Sequence, residues 1–120
     1  MHTIGGRVRD HDPDPWIHKY IFPNGEIPVI GQVADDTEGL FLIEDLHNFG
    51  ADYDKTLMAW HANFEKHWDK YASQYSERFY RMWRYYLLVC AGSFRARDNQ
   101  LWQFVLSPNG VPGTYRRPKL

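Results

Sequence analysis

Six histidines (His2, His11, His18, His47, His61 and His67) and a single cysteine, Cys90, are the side chains with the widest chemical reach in this 120-residue sequence. Metal binding would need ligands three or four apart on one helix face, or a Cys/His cluster. His61 and His67 share a helical segment but stand six apart, which sets their rings on different faces. No serine sits in a Gly-x-Ser-x-Gly elbow, so a serine triad has no support. There is neither a Gly-x-Gly-x-x-Gly run nor a phosphate-binding loop, so the chain shows no nucleotide cradle of its own. Polar groups do concentrate in Glu44-Asp45-Leu46-His47-Asn48-Phe49-Gly50-Ala51-Asp52-Tyr53, where a strand gives way to a helix. Open α/β sheets bind ligands beyond the carboxyl ends of their strands. A capped helix start would explain Asp and Gly there, but not the whole string.

The elements that must hold these residues follow from hydrophobic spacing. A polar Gly/Asp/Pro-rich loop over residues 5–15 precedes a short helix over 16–22, which Pro23-Asn24-Gly25 stops. A second short helix is expected within 26–35, with Pro28 near its start. Residues 40–46 form an apolar run of strand length, and 101–106 another. Two long helices lie between them, near 55–70 and 76–97. Asp54 can cap the first, whose Leu57, Trp60, Phe64 and Trp68 mark one face; Ser76 starts the second. Phe79, Trp83, Tyr86, Cys90 and Phe94 form its inner stripe, while Arg78, Arg81 and Arg84 lie on a solvated face. Both strands are apolar enough to need cover on each side, and two strands alone make no stable sheet. The order reads as the end of a larger α/β domain.

Composition narrows the function classes. A net charge of -1 gives no long-range pull toward nucleic acid. One cysteine rules out an internal disulfide framework and fits a reducing compartment. No apolar run approaches the ~20 residues that span a bilayer, and the N-terminus lacks a signal-peptide pattern, so the cytoplasm is expected. The basic tail Tyr115-Arg116-Arg117-Pro118-Lys119 reads first as a solvated terminus, with contact to anionic head groups as the sharper option. Aromatic content of 17% is mostly explained by core packing, with an aromatic-lined site for an apolar or cationic species as the sharper option.

Several runs together resemble the cyclopropane-fatty-acyl-phospholipid synthases, a family that includes mycolic acid cyclopropane synthases. These are His2-Thr3-Ile4-Gly5, Asp14-Pro15-Trp16-Ile17, Lys19-Tyr20-Ile21-Phe22-Pro23-Asn24-Gly25, the Glu44–Tyr53 string, Tyr75-Ser76-Glu77-Arg78-Phe79 and Cys90-Ala91-Gly92-Ser93-Phe94-Arg95-Ala96-Arg97-Asp98. Leu46 departs from the tryptophan common in bacterial members and is expected to be a packing variant. The resemblance implies the C-terminal part of a class I, Rossmann-like S-adenosylmethionine-dependent methyltransferase domain, filling residues 1–120. It implies S-adenosylmethionine as methyl donor, bound by an upstream half that this chain lacks, and a cis-unsaturated phospholipid acyl chain as acceptor. Met1 would then stand inside a strand of that domain and His2 just after it. The resemblance also sets the two expected strands antiparallel, where helix-joined sequential strands are usually parallel.

For the site, the resemblance implies a bound bicarbonate ion as base, held by His2, the backbone of Ile4 and the hydroxyl of Tyr53. Cys90 is the family's further candidate, although its place on an apolar stripe suits an inert packed thiol. The implied partners are a phospholipid bilayer with unsaturated acyl chains and a second copy of the intact enzyme, at the cytoplasmic side of the inner membrane. Alone, the chain is expected to be inactive. Two other readings remain open: a non-catalytic lipid- or partner-binding remnant of the fold, and a relative that leaves a methyl branch or hydroxyl instead of a ring.

Overall fold

The computed structural model describes residues 1–9 and 14–119, so His11 and part of the expected 5–15 loop lie outside the described residues. Three strands form one sheet: β1 (His2–Gly6), β2 (Leu42–Asn48) and β3 (Asn99–Ser107), in spatial order β1-β3-β2. Both neighbours run antiparallel to β3, as expected for β2. The third strand corrects the expectation of two, and it changes the position of His2. That residue opens β1 instead of following a strand, opposite Gln103.

Four α-helices accompany the sheet: α1 (Pro15–Tyr20), α2 (Ile30–Thr37), α3 (Gly50–His67) and α4 (Glu77–Arg95), with a 3-10 turn at Trp68–Lys70. In α1, the Asp14 side chain accepts from the amides of Trp16 and Ile17, and Pro15 starts the helix without losing a bond. The second short helix begins later than expected, at Ile30, because Pro28 and Val29 run extended beside β1, where Gly6 N–H donates to Pro28 O at 2.9 Å.

The long helices carry two further corrections. Asp54 does not cap α3. The helix starts five residues earlier than expected, at Gly50, whose N–H donates to Asn48 Oδ1 at 2.9 Å. Asp54 instead accepts both guanidinium donors of Arg95, at 2.9 and 2.8 Å, tying the start of α3 to the end of α4. Ser76 does cap α4, accepting from Phe79 N–H. The deepest line of α4 is Leu87, Ala91 and Phe94, while Trp83, Tyr86 and Cys90 pack beside it half-buried.

β3 is covered on both faces. Leu101 joins Leu57, Leu87, Ala91 and Phe94 under α3 and α4. Trp102 and Phe104 face the other way, against Val33 of α2 with Leu46 and Leu106 around them. A bulge around Glu44 breaks the β2–β3 register, and its carboxylate accepts from Val111 N–H at 2.8 Å as well as from Ser107. The chain then returns along β2, where Arg117 donates to Asp45 at 2.7 Å and to the Leu46 carbonyl at 2.9 Å. Arg117 holds the Asp45 carboxyl below its ordinary range. Among the described residues, no helix is long and apolar enough to cross a membrane.

Gly5 is a position where the sheet tolerates no side chain, since a Cβ there would run into the ring of Trp102, itself 4% exposed. Gly5→Ala is expected to lower unfolding free energy by about 1–3 kcal/mol through overpacking. The check is the urea midpoint; an unchanged midpoint would show that the indole moves aside freely.

Candidate active site

The polar string from Glu44 to Tyr53 is not a loop. Its first five residues end β2 and its last four begin α3, leaving Phe49 between them. Glu44 and Asp45 are committed to the returning C-terminal segment. His47 packs its ring on Phe49, centroids 3.8 Å apart. Tyr53 is fixed by the first helical turn, its N–H donating to Phe49 O at 3.0 Å.

Of the four expected site residues, the structure brings three into one cluster. Ile4, Tyr53 and Cys90 all pack on the core under α3 and α4, together with Phe49, Trp83 and Tyr86. Around Tyr53 the walls are aromatic: Phe94 lies edge-on at 5.0 Å and Trp60 edge-on at 5.7 Å. Burial pushes the Tyr53 phenol above its ordinary pKa, and the neighbouring Cys90 adds to the effect. Tyr86 is raised in the same way, by burial and then by Cys90 and Tyr53. Three titratable groups therefore stay neutral in one apolar cluster. Tyr86 had been read only as a packing residue; its spacing of four from Cys90 on one helix was the available signal.

Strand alternation sets the remaining donors. Met1 and Phe104 exchange both backbone bonds, at 2.8 Å each. Stepping by two, Thr3 and Gly5 therefore face their β3 partners through hydrogen bonds, while His2, Ile4 and Gly6 turn their amides toward the opposite edge. Gly6 shows this directly, since its N–H reaches Pro28 instead of β3. The Ile4 amide thus points at an edge that carries no partner strand among the described residues. His2 shares the Ile4 face of β1, two residues along, but its side chain is exposed. Across the sheet, His2, Gln103 and His47 lie in one row on that face.

Nothing among the described residues gathers three metal-ligating side chains. Cys90 is half-buried, and its thiol is pushed up to about 11, first by burial and then by Asp14. That is the electrostatic opposite of an activated nucleophile.

Comparison with known proteins gives a consistent pattern. Residues 1–104 match the family model described as mycolic acid cyclopropane synthetase. The chain is 59% identical over 107 residues to the cyclopropane-fatty-acyl-phospholipid synthase of Escherichia coli strain K12, which covers 89% of this chain and 28% of that protein. Among solved structures, the cyclopropane synthase MmaA2 from Mycobacterium tuberculosis superposes with a TM-score of 0.77 at 27% identity, over 88% of this chain and 42% of that one. The mycolic acid cyclopropane synthase CmaA1, complexed with SAH and CTAB, gives 0.74 at 26% identity, with the same coverages. The chain therefore spans less than half the length of each of these relatives, and it has the fold of the corresponding portion.

The state of Cys90 is directly measurable. At pH 8 its alkylation by iodoacetamide is expected to run about a hundredfold slower than that of an exposed cysteine, because so little thiolate is present. The folded thiol resists deprotonation more than the unfolded one, so stability is held below the unfolded value near pH 8.5 and falls as pH rises toward about 11. Rapid alkylation in the native state would contradict this environment.

Proposed function

Because the chain belongs to the mycolic acid cyclopropane synthetase family, we propose that it is the C-terminal part of a methyltransferase acting on lipid acyl chains. The reaction transfers the methyl of S-adenosylmethionine to a cis double bond of a phospholipid and closes a cyclopropane ring. The observation that carries this reading is the aromatic cluster around Tyr53, which packs on the same core as the Ile4 side chain. An apolar acyl chain and a small anion could meet there.

Each part of the chemistry sets a demand. An isolated alkene is a weak nucleophile, so the methyl must be presented at close range and without water. The π electrons form the new C–C bond while the sulfonium sulfur keeps the pair of the broken S–C bond. Positive charge then rests on the acyl chain, where a desolvated aromatic face stabilises it by roughly 0.5–2 kcal/mol. Tyr53 and Tyr86 are the half-buried faces this chain provides, with Trp60 exposed beside Tyr53 and Phe94 buried against it. One proton must then leave the new methyl, so that its C–H pair closes the ring.

S-adenosylmethionine, when bound, supplies the electrophilic methyl; its cradle lies outside this chain. The one Gly-Gly pair at a strand end does not fit it, since the Trp102 ring fills the space over Gly5 and Pro28 takes the Gly6 amide. A bicarbonate ion, when bound, supplies the base. The donors suited to it here are the Tyr53 hydroxyl, kept protonated by burial, the Ile4 amide and the His2 imidazole. Cys90 is assigned no bond-making step. The same reading includes a cytoplasmic enzyme held peripherally at a phospholipid bilayer, and a homodimer of the longer protein.

Two measurements test the reading. The 120-residue chain alone is expected to show no saturable binding of S-adenosylmethionine by calorimetry; micromolar binding would contradict an upstream cofactor site. In a polypeptide joining this chain to the upstream half of its domain, Tyr53→Phe removes one donor and keeps the ring. The expected loss is about ten- to a hundredfold in turnover, as for a lost bond to a charged group, partly restored by added bicarbonate. Full turnover of that variant in bicarbonate-depleted buffer would reduce Tyr53 to a packing residue.

A further inference from the structure

A second concavity lies away from Tyr53, on the outer flank of α4. It is an open groove of about 460 Å³ lined by Trp16, Tyr20, Arg78, Arg81, Met82 and Tyr85. Its construction is simple. Residues 78, 81, 82 and 85 form one helical stripe at steps of three and four, and Trp16 and Tyr20 project from successive turns of α1. Trp16 closes on Tyr85 edge-to-face at 4.5 Å, and on Tyr20 at 5.5 Å. Two of the three arginines expected on a merely solvated face thus line an aromatic groove.

Among the described residues that line it, its charge is one-sided. Arg84, the third arginine, is paired with Glu65 at 3.4 Å. Arg78 has an aromatic neighbour instead, its guanidinium 6.0 Å from the Tyr20 ring, and Lys19 lies 5.1 Å from the same ring. The ion pairs among the described residues involve neither Lys19, Arg78 nor Arg81. The nearest acid on α1, Asp14, is occupied with capping that helix. Two residues beyond Tyr20 in the chain, Phe22 is 55% exposed, and Tyr85 within the groove is 48% exposed. Amphipathic aromatic rings interleaved with cations are the composition that sits at the head-group level of a bilayer. A soluble phosphate compound would use the arginines but leave Phe22 and the outer ring faces in water.

We propose that this groove is where the protein docks on an anionic phospholipid bilayer. Arg78, Arg81 and Lys19 meet the phosphates, and Phe22, Tyr20 and Tyr85 enter the interface. Continuity with the candidate site supports this occupant, because Phe22 also packs edge-on against Tyr86 at 6.0 Å, and Tyr86 belongs to the cluster that holds Tyr53 and Cys90. The inference rests on the lipid-acting reading and adds the face by which the lipid arrives.

The test is co-sedimentation of the 120-residue chain with vesicles of phosphatidylglycerol mixed into phosphatidylcholine, against vesicles of phosphatidylcholine alone. Arg78 and Arg81 are exposed, so Arg78→Gln/Arg81→Gln should leave the helical circular dichroism unchanged. The double variant is expected to bind the anionic vesicles about ten- to thirtyfold more weakly, at roughly three- to fivefold per surface cation. Arg78→Lys/Arg81→Lys should retain most of the binding, and Arg84→Gln all of it. Equal anionic-vesicle binding by wild type and the glutamine variant would overturn the groove while leaving the lipid-acting reading intact. A folded chain that ignores both vesicle types would also overturn it. So would a dimer, seen by light scattering, that the glutamine variant abolishes without any change in vesicle binding. Failure of the Tyr53→Phe experiment, by contrast, would remove the catalytic reading and leave vesicle binding as measured.

Discussion

Strand β3 has to bury Leu101 on one face and Trp102 with Phe104 on the other, and a strand with two apolar faces is stable only between two covering layers. The neighbouring elements answer that demand. α3 and α4 close over Leu101, α2 closes over Trp102 and Phe104, and β1 and β2 take the two edges. Because α3 must run directly from β2 onto this face, Tyr53 in its first turn is delivered to the core with its ring against Phe94. Because β1 must lie flush against β3, Gly5 surrenders its side chain to the Trp102 ring. The candidate site is thus a by-product of how one central strand is packed.

The long helices were legible because their periodicity is local: α4 repeats apolar residues at three and four over five turns, and Ser76 announces its start. The antiparallel pairing of β2 and β3 was not legible from periodicity, which favours parallel strands across helical connections; it came from the family resemblance. β1 escaped because five residues containing two glycines carry almost no strand propensity, and only pairing with β3 makes them a strand. Asp54 was misread for a related reason. Asp52 and Asp54 both stand near the start of α3, but neither caps it: Arg95 takes Asp54, and Asn48 in the preceding strand accepts from the Gly50 amide.

The site was legible only as a set of residue names. His2, Ile4, Tyr53 and Cys90 are far apart along the chain, and sequence spacing says nothing of the hydrogen-bond parity that turns the Ile4 amide outward. Nor does it reveal that Tyr86 shares the environment of Tyr53. Arg78 and Arg81 show the limit from the other side. Helical spacing correctly excluded them from the core, yet only the position of α1 shows that two of the three arginines stand among aromatic rings.

The returning C-terminal segment has a consequence for colloidal behaviour. β2 is a sheet edge, and Leu40, Phe41, Leu42 and Ile43 near its start are exposed. Such an edge is a template on which another chain's strand can add. Arg117 blocks part of it by occupying the Leu46 carbonyl and anchoring on Asp45. That latch is a surface ion pair and loosens as salt screens it. Added salt would therefore unmask the edge while also weakening repulsion between molecules, so trimming the chain before Arg117 and raising ionic strength should promote the same sheet-extended aggregates.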